Sequence, residues 1–233
     1  MSKLFSPSRI AGITAVAAAV AVLGACSKKD SNTGPSTEFT VNADATTNAQ
    51  TAPVGTAVSK PVEVHVMDNT GAVASGAIVT WTVVNHAGST ATTTSTTDAT
   101  GTASVAWTLD TLARVDSLQA TVQNGTTATI TATGTAGAAT KDSTFSGDAQ
   151  SVAHGSVSAP MIVKVTDRYG NGIAGVAVAW VATGGGTLSA ASTMTDATGK
   201  AQVTLTLGSA TGAYTVTATP AALAAVTFHL TGT

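Results

Sequence analysis

The chain of 233 residues is poor in charge, in aromatic side chains and in cysteine. Only 9% of its residues are charged and 4% are aromatic, whereas an ordinary soluble domain has about 25% charged residues. With a formal net charge of −2, it lacks the clustered Lys and Arg that nucleic-acid binding through phosphates requires. A single cysteine and four histidines exclude an internal disulfide and a cysteine-rich zinc site.

Patterns of catalytic residues are missing as well. The histidines are scattered along the chain, at His65, His86, His154 and His229. None has the HExxH spacing, and the sequence contains neither a GxSxG motif nor a phosphate-binding glycine loop. Glu38 and Glu63 are the only glutamates, which leaves little for paired-carboxylate chemistry. We therefore expect no catalytic residues, no cofactor and no enzymatic activity.

Threonine and alanine take the place of the missing charges, with about 45 residues of each. Hydrophobic residues make up 43% of the chain, and its mean hydropathy is +0.29. Intrinsic disorder is therefore excluded, because disordered chains combine low hydropathy with high net charge. The length fits one large domain or two small ones.

The first 25 residues have the parts of a secretory signal peptide. Lys3 and Arg9 precede an uncharged run rich in Ala and Val at residues 10–25. This run is shorter than the roughly 20 residues that a membrane-spanning helix needs. Residues 1–25 are therefore predicted to be a cleaved signal peptide.

The apolar run ends in Leu23, Gly24, Ala25 and Cys26, and this segment resembles the lipobox of bacterial lipoproteins. The resemblance implies cleavage before Cys26, acylation of that cysteine and a membrane as partner. It implies a lipid-anchored protein of the bacterial envelope, and Ser27 after the cysteine is similar to the sorting signal for the outer membrane. The alternative is an ordinary secretory signal with an incidental cysteine. Residues 26–36 are polar and are predicted to form a flexible tether behind the lipidated Cys26.

The rest of the chain consists of two copies of one unit. Three matched features carry the repeat: Asp-x-x-Gly at 68–71 and 167–170, Trp at 81 and 180, and Thr-Asp-Ala-Thr-Gly at 97–101 and 195–199. The matches lie 98 or 99 positions apart, so one residue is lost partway through the second copy. A period of this length is that of a whole small domain and exceeds that of solenoid repeats.

Within each copy, apolar residues alternate with polar ones, as Val62, Val64 and Val66 do with their neighbours. Alternation of β-branched residues, broken every 8 to 12 positions by Gly, Asp, Asn or Pro, predicts short antiparallel strands in a sandwich. Four large side chains on these apolar lines are expected in the cores: Trp81, Trp107, Trp180 and Phe228. Exposed rings that stack on sugars are the alternative for the tryptophans at 81 and 180.

Valine alternation, Asp-x-x-Gly, Val-x-Trp and Thr-Asp-Ala-x-Gly together resemble the bacterial immunoglobulin-like domain of group 1, found in tandem in invasin- and intimin-type surface proteins. The resemblance implies an all-β fold with two tandem immunoglobulin-like antiparallel sandwiches, at residues 37–136 and 144–233, joined by a linker at 137–143. It implies a non-enzymatic spacer, adhesion or protein-interaction unit. The alternative is a binding module that holds a carbohydrate or an envelope polymer in the loops of the first copy.

Four aspartates stand three residues before a glycine, which is the preference of a type I turn. Calcium binding is the other explanation, but calcium usually takes several carboxylates close in sequence, and each Asp is alone in its loop. We therefore expect turns and no metal site. The pairs are Asp68 with Gly71, Asp98 with Gly101, Asp167 with Gly170, and Asp196 with Gly199.

The first copy departs from the second in two loops. Residues 85–90 replace a segment that begins with three glycines at 184–186, and the stretch from Leu109 to Leu118 is expected to be two residues longer than its counterpart ending at Tyr214. Two explanations stay open for these loops, remodelling for binding and drift. In the second loop, Asp110 and Asp116 flank Arg114, and the three residues form either an acidic site or surface ion pairs. The threonine-rich stretch 89–97 is interpreted as an edge strand, with an O-glycosylation patch as the alternative.

Overall fold

The computed structural model describes residues 38–85 and 88–233. Within these ranges the chain forms β-strands, turns and bends without any helix, which confirms the all-β class. No helix suited in length and hydropathy to crossing a membrane is found in this part of the chain. The predicted signal peptide, the lipobox with Cys26, the tether and His86 lie outside the described residues.

Ten strands form the first sandwich. A three-stranded sheet with the order β1-β3-β7 faces a five-stranded sheet with the order β2-β10-β9-β4-β6, and β5 pairs with β8. The strands are β1 (Phe39–Ala43), β2 (Gln50–Pro53), β3 (Val62–Asp68), β4 (Ile78–Val84), β5 (Ser89–Thr90), β6 (Thr94–Thr96), β7 (Thr102–Val105), β8 (Trp107–Thr108), β9 (Val115–Val122) and β10 (Thr127–Thr135).

The second sandwich repeats this topology strand for strand. Its sheets have the orders β11-β13-β17 and β12-β20-β19-β14-β16, and β15 pairs with β18. The strands are β11 (Lys141–Ser146), β12 (Gln150–Val152), β13 (Met161–Thr166), β14 (Ala177–Thr183), β15 (Thr187–Leu188), β16 (Ser192–Met194), β17 (Lys200–Val203), β18 (Leu205–Thr206), β19 (Gly212–Pro220) and β20 (Val226–Gly232).

One pairing in each sandwich is parallel, whereas the sequence patterns predict antiparallel strands only. Strand β2 runs parallel to β10, and β12 runs parallel to β20. The reason is that the chain changes sheets after its first strand, through a turn at residues 44–49 in the first copy. Asp44 accepts hydrogen bonds from the N–H and hydroxyl of Thr46 there, and Asn48 Oδ1 accepts one from Thr131 N of β10.

Residues that alternate along the sequence lie on opposite faces of the sheets, one face toward the core and the other toward solvent. Val62, Val64 and Val66 of β3 are buried, while Glu63 and His65 between them are only half-buried. Burial of such a side chain contributes about 1.5–3 kcal/mol, so these lines supply most of the stabilising free energy of each sandwich.

The four large residues expected in the cores are buried. Trp81 and Trp180 are each 3% exposed, and Trp107 and Phe228 are fully enclosed. The indole N–H of Trp81 donates to Ser95 Oγ and that of Trp180 donates to Thr193 Oγ1, so both rings are anchored by their polar edge. In these positions the rings pack between the sheets and present no face for a sugar to stack on.

Strand β11 begins at Lys141, three residues before the predicted boundary of the second domain. The polar run Lys-Asp-Ser at 141–143 gave no apolar alternation, but its backbone pairs with β13, with Asp142 opposite Val165. The linker is therefore shorter than predicted, and residues 141–143 belong to the second sandwich.

Threonine is prominent on the outer face of the five-stranded sheet of the first sandwich. Thr127, Thr121, Thr80 and Thr94 stand side by side on four neighbouring strands and form one uncharged row. Residues 94–96 of the threonine-rich stretch form β6, at the edge of the sheet.

Candidate functional site

Each of the four Asp-x-x-Gly segments forms the same hydrogen-bonded turn. In the first, Asp68 Oδ1 accepts from Thr70 N at 2.8 Å, Thr70 Oγ1 at 2.6 Å and Ala72 N at 3.0 Å. Gly71 donates its N–H to Asp68 O and has a φ of +83°, the left-handed conformation that glycine adopts without strain. The turn is thus a type I turn closed by glycine.

These bonds lower the pKa of the turn carboxyls. For Asp68 and Asp98, the hydroxyl of the following threonine contributes most, and backbone N–H groups add to it. For Asp196, the N–H of Lys200 contributes most. The carboxylates are therefore used within their own turns, and among the described residues no three His, Cys, Asp or Glu side chains cluster as a metal site.

Strand register shows that the loop after β8 has the same length in both copies. Asp116 pairs with Ala132 in the first sandwich, and Tyr214 pairs with Leu230 in the second. Because these partners precede the matching ends of β10 and β20, Asp116 and Tyr214 are equivalent. The expected insertion of two residues is wrong: the sequence match paired Leu118 with Tyr214 as the first large apolar residue after the loop, but a buried aspartate occupies that place.

The extra residue of the first copy lies elsewhere. Residues 85–88 connect β4 to β5, where the three glycines 184–186 connect β14 to β15. The second copy therefore has the shorter and more permissive connection next to its equivalent of Asp116.

In the second sandwich, Tyr214 fills the end of the core. Its ring is 1% exposed, and its hydroxyl donates to Ala210 O at 2.7 Å. Glycines make room for it: a Cβ at Gly184 would lie 2.7 Å from the ring, and one at Gly232 would lie 2.8 Å from it. The tyrosine thus closes this end of the sandwich.

In the first sandwich, an ion pair between a buried aspartate and a half-exposed arginine occupies the same end. Asp116 is 1% exposed and accepts from Arg114 Nε at 3.3 Å and from Asp110 N at 3.0 Å. Arg114 also donates to Asp110 Oδ2 at 2.7 Å and to Asn85 O at 2.9 Å. The two loops meet at Arg114. Ion pairs join residues 110, 114 and 116, but they are not the surface pairs that were expected, because the Asp116 carboxylate is buried. We call residues 110–116 the junction loop.

The junction loop contacts the second sandwich through the turn at residues 167–171, which we call the junction turn. Asn171 Nδ2 donates to Thr111 O at 2.8 Å, and Asn171 Oδ1 accepts from Ala113 N at 2.9 Å. Asn171 Nδ2 is also 2.9 Å from Asp167 Oδ2, which in turn accepts from Gly137 N of the linker at 3.0 Å. One amide therefore ties the second sandwich to the first, and its neighbouring carboxylate ties in the linker.

Asp167 is the turn aspartate that differs from the other three. It is 1% exposed, and burial pushes its pKa upward, but hydrogen bonds from Asn171, Gly137 and Tyr169 outweigh burial and leave the pKa below its usual value. Its role therefore extends from the turn to the junction.

Tyr169 of the junction turn packs against Gly55 of the first sandwich. A Cβ at Gly55 would lie 2.5 Å from the tyrosine hydroxyl, so glycine is required for this approach. The Arg168 guanidinium lies 4.4 Å from the centre of the Tyr169 ring. Beside the ring runs a groove of about 370 Å³, lined by Pro53, Val54, Thr56, Gly137, Ala138, Thr140, Asp167, Arg168 and Tyr169.

The loops of the first copy leave little space of their own. A cleft beside Arg114, bounded by Asn85 and Asp116, has a volume of about 80 Å³, and none of its described lining residues is aromatic. Small-molecule sites usually measure about 300–1,000 Å³ and are lined mostly by apolar and aromatic groups. The cleft is thus too small for a sugar ring with its hydration.

The sequence patterns did not single out Asn171 or Tyr169. Both lie inside a motif that was assigned to turn formation, and its repeat hid the difference between the copies. A signal was present, since Thr70 and Ala72 hold the equivalent positions in the first copy. The contact of Asn171 with loop 110–116 could not be predicted from sequence patterns, because the two partners lie about 60 residues apart in the chain.

The described part of the chain is thus a pair of immunoglobulin-like sandwiches joined by a hydrogen-bonded junction. The second sandwich, at residues 142–231, matches the family model described as "Bacterial Ig-like domain (group 1)". The resemblance expected from the motifs is therefore confirmed for this sandwich. No curated protein matches the chain.

Several solved structures are similar to this chain. InvD of Yersinia pseudotuberculosis is 19% identical with a TM-score of 0.51, over 84% of this chain and 57% of that one. The D0-D1 domain of intimin is 18% identical with a TM-score of 0.33, over 82% and 96% of the two chains. Domains 4 and 5 of the S-layer protein SbsC are 18% identical with a TM-score of 0.38, over 83% and 96%. The likeness to InvD shows the fold alone.

Proposed function

We propose that the protein is a lipid-anchored spacer and adhesion module of the bacterial cell envelope. The observation that supports this most is the junction, where Asn171 of the second sandwich bonds the backbone of the first. Successive domains move freely unless a specific interface joins them, and a spacer needs such an interface to hold its far end away from a surface.

The anchor in this proposal is Cys26, at the end of the predicted signal peptide. Two or more acyl chains on one residue give stable membrane attachment, at about 0.8 kcal/mol for each buried methylene group. Ser27 favours delivery to the outer membrane, and the polar tether that follows would let the sandwiches stand clear of the lipid headgroups.

Contacts with a protein or glycan partner would come from the sheet faces and edges. The threonine row at 80, 94, 121 and 127 offers hydroxyl and methyl groups without charge, which suits weak contacts that salt does not screen. The alternative, a carbohydrate or polymer site in the loops of the first copy, finds less support, because Arg114 fills the space between those loops.

Replacement of Cys26 by Ser tests the anchor. The variant should leave the membrane fraction and appear in the soluble envelope fraction, since no acyl chain can then be attached. Ser27→Ala serves as the matched control and should stay with the membrane. Retention of Cys26→Ser in the membrane fraction would contradict the lipoprotein proposal.

Protease treatment of intact cells tests the position and the spacer role together. If the sandwiches are displayed outward, added protease should remove them from intact cells, whereas a periplasmic protein should be protected until the outer membrane is opened. Protection in intact cells would overturn outward display and leave a scaffold inside the envelope.

A further inference from the structure

Two departures from the internal repeat lie on opposite sides of the junction. Asn171 stands where the first copy has Ala72, and Asp116 stands where the second copy has Tyr214. The first departure supplies an amide to the junction turn, and the second supplies the ion pair beneath the junction loop. Asn171 bonds the backbone of Thr111 and Ala113, and Asp116 binds the side chain of Arg114, the next residue in the same loop.

The amide of Asn171 uses both of its polar ends across the junction. Its Nδ2 donates to Thr111 O and its Oδ1 accepts from Ala113 N, at 2.8 and 2.9 Å. The side chain thus pairs with the backbone of the junction loop in the way a neighbouring strand would. Because each bond is directional, the pair restrains the angle between the sandwiches as well as their distance.

The junction loop is held ready for this contact from inside the first sandwich. Arg114 follows Ala113 directly and is fixed by Asp116 on one side and by Asp110 and Asn85 on the other. The carbonyl of Arg114 also accepts from Gly134 N at 2.7 Å, which ties the loop to the end of β10. Arg114 is therefore a positioning residue for the loop and has no contact of its own with Asn171.

We infer that Asn171 fixes the second sandwich on the first by docking onto the Thr111–Ala113 backbone, and that the junction loop is a receptor for a turn with an asparagine at this position. This inference deepens the proposed spacer role and rests on it for its biological meaning. The kind of partner that the junction loop fits is thus the opening turn of a following module with the pattern Asp-x-Tyr-Gly-Asn.

The pairing has a direction. The end of the second sandwich that corresponds to the junction loop has glycines at 208 and 212, and Tyr214 closes it. The turn of the first copy that corresponds to the junction turn has Ala72, whose methyl group cannot hydrogen-bond. Within residues 38–85 and 88–233, receptor and ligand therefore occur once each, in the order in which the two sandwiches follow one another.

Distance measurements between two spin labels test the inference on the full-length chain. Thr129 and Thr219, both exposed on sheet faces, are replaced by Cys in a Cys26→Ser background that has no other thiol. Pulsed electron paramagnetic resonance should give one narrow distance distribution. Asn171→Ala and Asn171→Asp should each broaden it at least about twofold, because free domains sample many orientations.

Asn69→Ala is the matched control, since Asn69 is exposed in the equivalent turn of the first copy and should leave the distribution unchanged. Ala113→Pro removes the N–H that bonds Asn171 from the other side and should broaden the distribution without touching the second sandwich. Circular dichroism melting checks that each variant keeps both sandwiches folded.

A broad distribution in the unmodified background, or an unchanged one in Asn171→Ala, Asn171→Asp and Ala113→Pro, would overturn the inference. A failure of the proposed envelope function is recognised separately. Cys26→Ser fractionation and protease treatment of cells report the anchor and the display, and neither depends on the width of the distance distribution.

Discussion

The two sandwiches share a frame of ten strands each but close their ends differently. In the second, Tyr214 plugs the core between glycines, and its hydroxyl bonds a backbone carbonyl. In the first, Asp116 and Arg114 fill the equivalent space and shape a loop that bonds the next module. In this chain, the residue at one position of the strand that follows the loop, Asp116 or Tyr214, thus distinguishes an end that bonds the next module from an end that is closed.

The two cores also have different side chains at equivalent positions. Phe228 of the second sandwich packs against Trp180, with ring centroids 6.2 Å apart, while Ile130 takes the place of Phe228 in the first. Trp107 of the first copy corresponds to Leu205 of the second. All of these side chains are buried. Bulk has moved between positions, so each core is filled by its own combination of side chains.

The largest expected effect tests whether the tryptophans carry equal weight in these cores. Trp180→Ala should lower the free energy of unfolding of the second sandwich by about 3–5 kcal/mol, as the loss of a buried aromatic does. Trp81→Ala should cost less within that range, because Trp81 has Ile130 where Trp180 has Phe228. Urea unfolding followed by far-ultraviolet circular dichroism measures both, since Trp180→Ala removes the single tryptophan of the second sandwich and with it the fluorescence signal. A change below about 1 kcal/mol in either variant would show that the ring is outside the core.

Arg114→Ala tests the end of the first sandwich that carries the junction loop. It leaves the Asp116 carboxylate buried without its cation, which should destabilise the first sandwich by about 2 kcal/mol. The same variant should broaden the distance distribution between the labels at 129 and 219, since the junction loop loses its support.

Arg168→Ala is the control for Arg114→Ala, because that guanidinium lies over an exposed ring and contacts no buried carboxylate among the described residues. It should change stability by less than about 0.5 kcal/mol, as exposed substitutions usually do. Equal effects of the two substitutions would contradict the special role of the buried pair.

Much of the strand arrangement was predictable from sequence, because a strand with one buried face has apolar residues at every second position. The valines of β3 and the apolar lines that contain the tryptophans alternate with a period of two. The turn aspartates were readable too, since their bonds reach only two to four residues ahead.

The junction was beyond such patterns. Asn171 bonds residues that lie 58 and 60 positions away, and no local preference announces a contact of that range. Asp116 was misread because a buried carboxylate breaks the apolar line of β9, and Leu118 then looked like the match for Tyr214. Strand β11 was placed too late because its polar residues pair through backbone alone. In each case tertiary contacts outweigh the local signal.

A smaller effect of opposite sign is expected at Asp142. It occupies the place of buried Val41 in the first sandwich, and its Oδ2 is buried without a hydrogen-bond partner. Desolvation raises the pKa of its carboxyl above the usual value of 3.8, so the residue costs stability progressively as the pH rises from 3.8 to the raised pKa, and the full cost applies above it. Asp142→Val should therefore stabilise the second sandwich by about 1 kcal/mol at neutral pH.

The advantage of Asp142→Val should shrink as the pH falls, because the protonated aspartic acid no longer pays a desolvation cost for its charge. Thermal melting across pH measures this, with Ser143→Val as a control on an exposed position of the same strand. An advantage that is constant with pH would show that packing, and not the charge, makes the difference.

The smallest expected effect compares two equivalent turns under acid. Asp68 and Asp167 both have a pKa below the usual value of 3.8, so each stabilises the folded state above 3.8 and loses that contribution as the pH falls through the lowered pKa. Asp68 supports only its own turn, whereas Asp167 also accepts from Asn171 and from Gly137 of the linker. Protonation of Asp167 should therefore loosen the junction, and the distance distribution between the labels should broaden reversibly as the pH falls through that lowered pKa while both sandwiches stay folded. Asp167→Asn should remove this pH dependence and Asp68→Asn should leave it intact; the reverse pattern would place the acid-sensitive contact in the first sandwich and not at the junction.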